Sequence, residues 1–399
     1  MAEVEELVDR VVGDTVVGLE LLNMWLGRRL GLYRALEEGP LDANGLADET
    51  GVHPRYAREW LEQQGVAGWL KVAGEDPGGD PYLRAFALPE EAREVLLDED
   101  SPFYLGALPE LFASIAWALP EVADAYRNGG GVPFSAYGAG TRHGIGGLNR
   151  PMYLTSVGRW VGALPGVAER LSRPGGRVLD LGCGTGWSTI ALAEAFPEAF
   201  VQGVDLDQAS VEEAKGNAAE RGLSGRVAFA CADAAAFEAE EDRYDLVCVF
   251  EALHDMADPV GVLRQVRALL KPGGSVLVGD ERVAESYSAP GDLLERLNYG
   301  FSTLHCLPAT RAEEAKVEAG TVLRPSIVHE YALSAGFPQG STVADIEHDL
   351  WRFYHLCTDP GPGASAEREL RRPASGGTGH RAESAKPGPQ ASGPWVERT

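Results

Sequence analysis

No uninterrupted apolar stretch of the 399-residue chain approaches the ~18 residues needed to cross a bilayer. The opening, MAEVEELVDR, is acidic and lacks the basic and apolar segments of a secretory signal. A cytoplasmic protein with no membrane partner is expected. Basic residues are scarce too: 35 Lys and Arg stand against 60 Asp and Glu, a formal net charge of −25. Nucleic acids and anionic membranes are bound by basic surfaces that displace counterions, so both are disfavoured and a small molecule is the expected partner. The five cysteines are scattered, odd in number and without a C-x-x-C pair, which excludes a disulfide framework or a cysteine zinc site. What is present is a globular composition, 44% apolar and 24% charged, in a chain long enough for two or three domains.

Residues 358–399 are dominated by Pro, Gly, Ser and Ala, with only Leu370, Trp395 and Val396 large and apolar. Such a segment cannot offset its own ordering entropy and is expected to be a disordered tail. At the other end, Val17, Leu21, Trp25, Leu32 and Leu36 recur at helical spacing. From Leu41 to Val72 an apolar face formed by Leu46, Ala47, Val52, Ala57, Trp60 and Leu61 crosses a break at Gly51. This is a helix-turn-helix pattern, and GEDPGGDPYLRAFAL fits a wing after it. Charge decides against DNA: residues 1–100 carry 22 acidic and nine basic side chains. A winged-helix-like packing or dimerisation domain over 1–100, hence a homodimer, is expected, with a ligand-sensing DNA-binding regulator as the alternative. Residues 101–165 fit a helical linker rich in aromatics that contributes to a substrate pocket, with Asn149, Arg150 and Tyr153 within reach of the cleft.

From Gly176 onward, apolar runs at 177–181, 200–204, 227–231, 245–250 and 275–278 alternate with helical patterns. Strands buried on both faces and joined by crossover helices make a parallel, doubly wound sheet. The first run ends in VLDLGCGTG, where Gly182, Gly184 and Gly186 permit a sharp turn and a close backbone approach to a ligand. The third glycine follows the second by two residues rather than three, and Asp180 precedes the loop, where it would repel a pyrophosphate. Asp205 ends the second strand and is placed to accept from ribose hydroxyls. Asp233 follows the third strand, and LLKPGGSVLV supplies a Pro-Gly-Gly turn before the fifth.

In this order, the run from Arg177 to Glu281 resembles the class I S-adenosylmethionine-dependent methyltransferases. The resemblance implies that Asp180, Gly182, Gly184, Gly186, Asp205 and Asp233 hold S-adenosylmethionine, with Asp205 on the ribose and Asp233 on the adenine. It also implies a Rossmann-like α/β domain over 166–357, with a seven-stranded sheet ending in an antiparallel strand, preceded by the mostly helical winged-helix domain.

The remaining motif is FEALHDMADP, at the end of the fourth strand. Ligands of open α/β sheets bind beyond the carboxyl ends of the strands, so His254 is placed to act as a base at neutral pH, with Asp255 beside it. Winged-helix O-methyltransferases carry a similar L-H-D sequence with the histidine as general base. A second similar group methylates the carbon next to an α-keto acid and holds iron or zinc with a His-Asp pair and a later histidine. On that resemblance the metal ligands are His254, Asp255 and His305.

Overall fold

The computed structural model describes residues 2–358, except 239–242, 314 and 339. The tail expected over 358–399 therefore lies outside the described residues apart from Thr358. Fifteen α-helices are described: α1 (Ala2–Arg29), α2 (Leu32–Ala35), α3 (Ala43–Thr50), α4 (Pro54–Val66), α5 (Glu90–Leu97), α6 (Leu108–Trp117), α7 (Leu119–Asn128), α8 (Ala139–Gly162), α9 (Val167–Leu171), α10 (Trp187–Ala195), α11 (Gln208–Glu220), α12 (Pro259–Leu269), α13 (Leu293–Phe301), α14 (Leu307–Ala312) and α15 (Pro325–Ser334). Strands β1 (Lys71–Gly74) and β2 (Ala85–Ala87) form an antiparallel pair after α4. The second sheet contains β3 (Gly176–Leu181), β4 (Ala199–Asp205), β5 (Val227–Cys231), β6 (Tyr244–Phe250), β7 (Leu270–Glu281), β8 (Thr342–Val343) and β9 (Trp351–Cys357).

Helix α1 starts 15 residues before Val17, the first residue of the helical pattern, and its acidic first turn, Glu3 and Glu5, complements the helix dipole. Helices α3 and α4 take the expected break at Gly51, which sits at φ +73 and closes α3 in a left-handed cap. Asp42 caps α3 by accepting from Gly45 N at 2.8 Å. Leu46, Ala57, Trp60 and Leu61 then bury against Tyr33 and Phe86 in one core.

The large sheet has the order β5-β4-β3-β6-β7-β9-β8. Strands β3 to β7 pair in parallel, and β9 is antiparallel to β7, as expected for the last strand. Alternation along the strands builds a core on each face. Val178, Leu246, Cys248 and Phe250 pack toward α8 and α10, whereas Leu179, Val247 and Val249 pack toward α12 and α15. Strand β7 starts earlier than the sequence indicates. Tyr244 pairs with Leu270 and Leu246 with Ser275, so the Pro-Gly-Gly turn is an excursion within β7, with Gly273 at φ +75.

The chain leaves β3 toward β4 and β5, then returns to the opposite side of β3 with β6. The carboxyl ends of β3 and β6 therefore flank the switch point of the sheet, where open α/β folds form their ligand crevice.

Candidate active site

The loop after β3 meets the loop after β6 at that crevice. Gly182 has φ +72, and a Cβ there would lie 2.5 Å from Cβ of Ala252, so both its backbone and its surroundings require glycine. Its backbone N–H, like that of Cys183, donates to the carbonyl of Val204 at the end of β4. Asp205, one residue on, accepts from Gly184 N at 2.8 Å and from Asp207 N at 2.9 Å. The predicted ribose acid is thus also a clamp on the glycine loop. Asp233 is exposed at the end of β5 and accepts from Ala235 N at 2.8 Å.

Asp180 occupies a different environment from the one its motif position implies. It is buried beneath the loop, and its Oδ2 accepts from the Ser188 and Thr189 hydroxyls at 2.6 Å each. Burial pushes its carboxyl up to about 6, although both hydroxyls favour the ionised form. In this arrangement Asp180 fastens β3 to the first turn of α10.

A cavity of about 70 Å³ lies against Gly182, Cys183, Gly184 and Thr185. Helix α8 walls it with Arg142, Asn149 and Tyr153, and Glu251 closes it from the end of β6. Asn149 and Tyr153, expected near the cleft, line this cavity. Arg150 instead pairs with Glu99 and Asp100 and stacks its guanidinium over Trp187, 4.2 Å from the ring centroid.

His254 is 1% exposed in a single helical turn, Leu253–Asp255, that follows β6. Its Nδ1 lies 2.8 Å from Oδ1 of Asp280 and 3.2 Å from Oε2 of Glu281, both at the end of β7. Its Nε2 is 3.4 Å from Oδ1 of Asp255. The imidazole is therefore oriented from the neighbouring strand, with Asp255 on its other nitrogen. Burial opposes the charged ring, but Asp255, Asp280 and Glu281 outweigh it and hold the imidazolium well above its ordinary 6.5. The same pairing offsets burial at Asp280 and lowers its carboxyl, whereas burial raises Glu281.

Asp280, Glu281 and Glu251 were not among the residues marked from sequence. Their signal was present: FE and GDE each place acids where an apolar run stops, at the strand ends that face a crevice. What connects them is register, since Phe250 pairs with Gly279.

The predicted metal set is not gathered. Among the described residues, the groups whose donor atoms lie within 4.8 Å of one another are His254 with Asp255 and Cys306, and His254 with Asp280 and Glu281. His305 belongs to neither group. It sits in the π-helical turn Ser302–Cys306, its ring 4.6 Å from that of Tyr137 and its Nδ1 3.5 Å from Cys306 Sγ. Aromatic packing positions it, and burial depresses its pKa.

Residues 172–320 match the family model of a methyltransferase domain. Over 108 residues the chain is 37% identical to 27-O-demethylrifamycin SV methyltransferase of Amycolatopsis mediterranei, covering 27% of this chain and 39% of that protein. Over 130 residues it is 30% identical to the ubiquinone biosynthesis O-methyltransferase of Coxiella burnetii, covering 33% of this chain and 52% of that one. The chain thus spans about half the length, or less, of these curated relatives. Two solved structures share the fold over nearly their whole length. Mitomycin 7-O-methyltransferase MmcR has a TM-score of 0.63 at 21% identity, covering 90% of this chain and 99% of that one. Human N-acetylserotonin methyltransferase in complex with SAM has 0.64 at 19% identity, covering 88% and 98%. Residues 172–320 thus match a methyltransferase domain in sequence, and the chain shares the fold of these solved methyltransferases.

Proposed function

We propose that the protein transfers a methyl group from S-adenosylmethionine to an oxygen of a small organic acceptor, with His254 as general base. The observation that carries this reading is the meeting of the glycine loop and the carboxylate-oriented His254 at one switch point. The fit to the donor rests on the loop itself: at Gly184, which lines the cavity with φ +51, a Cβ would meet no protein atom within 4 Å, so the loop backbone faces open space there. Gly182, Gly184 and Gly186 would line the donor, with Asp205 on the ribose and Asp233 on the adenine. When bound, S-adenosylmethionine supplies an electrophilic methyl group. The chain's own task is to hold the acceptor hydroxyl in line and take its proton. Nδ1 is committed to Asp280 and Glu281, so in the neutral ring Nε2, beside Asp255, receives the proton, and the resulting imidazolium is stabilised by the three acids around it. Because that imidazolium is held well above 6.5, the base form and the activity it supports should grow as pH rises.

The metal-assisted alternative depends on His254, Asp255 and His305 acting together, and His305 lies outside both donor groups. Stoichiometric iron or zinc in the purified protein, lost in His305→Ala, would overturn the acid-base reading.

The N-terminal region is read as a winged-helix-like dimerisation domain over 1–100, with a helical linker at 101–165 and the catalytic domain at 166–357. Val4, Leu7, Val8, Val11 and Val12 form a stripe along α1 and are all more than half exposed; a second copy of the chain would cover it. Against a nucleic-acid role, Arg55 and Arg58 on α4 are each paired with a glutamate one turn away, Glu59 and Glu62. All five cysteines are thiols outside any disulfide, which suits a cytoplasmic setting.

Calorimetry tests the proposal. S-adenosylhomocysteine should bind the purified protein, and Asp205→Ala should weaken binding about tenfold or more, by removing a charged acceptor. No heat of binding, or an unchanged affinity in the variant, sinks it.

A further inference from the structure

Glu251 follows β6 and, among the described non-glycine residues, is the only one with positive φ, +50. A left-handed backbone costs a side-chain-bearing residue about 1–3 kcal/mol and persists only where the surroundings impose it. Here they do: Glu251 N donates to the Gly279 carbonyl at 2.7 Å, directly after the Phe250–Gly279 pair. The carboxylate is thereby brought to the cavity wall beside the glycine loop and accepts from the side-chain amide of buried Asn149.

Among the described residues, the only charged ones lining that cavity are Glu251 and Arg142. Arg142 is held by Glu213 at 3.1 Å and Asp207 at 3.8 Å. The acid that precedes the loop, Asp180, is buried, with Oδ2 taken by two hydroxyls. An amino-acid zwitterion entering the cavity would thus meet one guanidinium and one carboxylate, and the carboxylate is that of Glu251.

We propose that Glu251 binds the α-ammonium group at the amino-acid end of the methyl donor, an inference that rests on the methyltransferase reading above. The Asn149 amide fixes the carboxylate, and the left-handed turn aims it. Burial raises the Glu251 carboxyl above its ordinary value, and an ammonium beside it would restore the charged form. Asn149 is then a positioning residue and Glu251 a specificity determinant for the amino group.

The test compares two probes by calorimetry, S-adenosylhomocysteine and its desamino analogue S-adenosyl-4-thiobutyrate, on wild type and Glu251→Gln. Wild type should prefer the amino-bearing probe by on the order of tenfold or more, as expected for a charge-assisted hydrogen bond. In Glu251→Gln that preference should fall toward unity while affinity for the desamino probe is kept, which also shows that the variant is folded. Equal binding of both probes by wild type overturns the inference without recourse to any variant. An undiminished preference in Glu251→Gln overturns it as well. If wild type binds neither probe, the methyltransferase reading falls and takes this one with it.

Discussion

Nδ1 of His254 and Oδ1 of Asp280 lie 2.8 Å apart, although the residues are 26 positions apart in sequence and end different strands. Asp280 thus fixes the ring and stabilises its charge. Asp280→Asn should lower the His254 pKa from well above 6.5, as read by NMR titration of the imidazole. The stability attached to the pair needs the carboxylate ionised and the ring protonated. It is fully present between about pH 4 and 6.5 and is lost as pH rises through the raised histidine value. Denaturation should therefore show a cost of roughly 3 kcal/mol for Asp280→Asn at pH 6, shrinking at higher pH. A pH-independent cost would contradict the pairing.

Asp180 gives a pH signature of the same sign in a lower window. Its folded value of about 6 exceeds the ordinary 3.8, so the unfolded chain ionises first and folding stability falls as pH rises from about 4 to 6. A shift of that size corresponds to roughly 3 kcal/mol. Asp180→Asn does not titrate, so its stability relative to wild type should improve by about that amount between pH 4 and 7 in denaturant titrations.

Gly182→Ala should destabilise the fold by about 1–3 kcal/mol through its backbone conformation alone, with a further cost from the contact with Ala252. Adding Ala252→Gly should recover only the contact part, measurable by denaturation. Full recovery in the double variant would mean that backbone conformation does not matter at this position.

The stripe on α1 predicts a change of assembly. Leu7 and Val11 are 60% and 65% exposed one helical turn apart, so Leu7→Glu with Val11→Glu should convert a dimer to a monomer in sedimentation velocity without lowering the melting temperature of the catalytic domain. A wild-type monomer would remove the basis for this role of α1.

Much of the architecture was legible because the signals are local. The apolar runs from Arg177 to Val278 needed no tertiary information to be read as buried strands, and Gly182, Gly184 and Gly186 marked the loop. The helix-turn-helix at 43–66 was equally visible, since an apolar face from Leu46 to Leu61 crosses a break at Gly51, although its Asp42 cap was not marked. The site was only half legible. His254 stood out by its location, but its carboxylate partners did not, because adjacency in sequence favoured Asp255 whereas strand register selects Asp280. His305 was marked as a ligand through the family resemblance rather than through any local pattern of its own. Its packing against Tyr137, from the segment before α8, depends on a long-range contact that no local pattern encodes.

The clamp of Asp205 on Gly184 bears on how fast a ligand is captured. The loop holds its shape through bonds internal to the protein, so an arriving nucleoside need not wait for a folding step and forfeits little entropy to ordering. Association should then be governed by encounter, and differences in affinity among nucleoside ligands should appear in how slowly each one leaves.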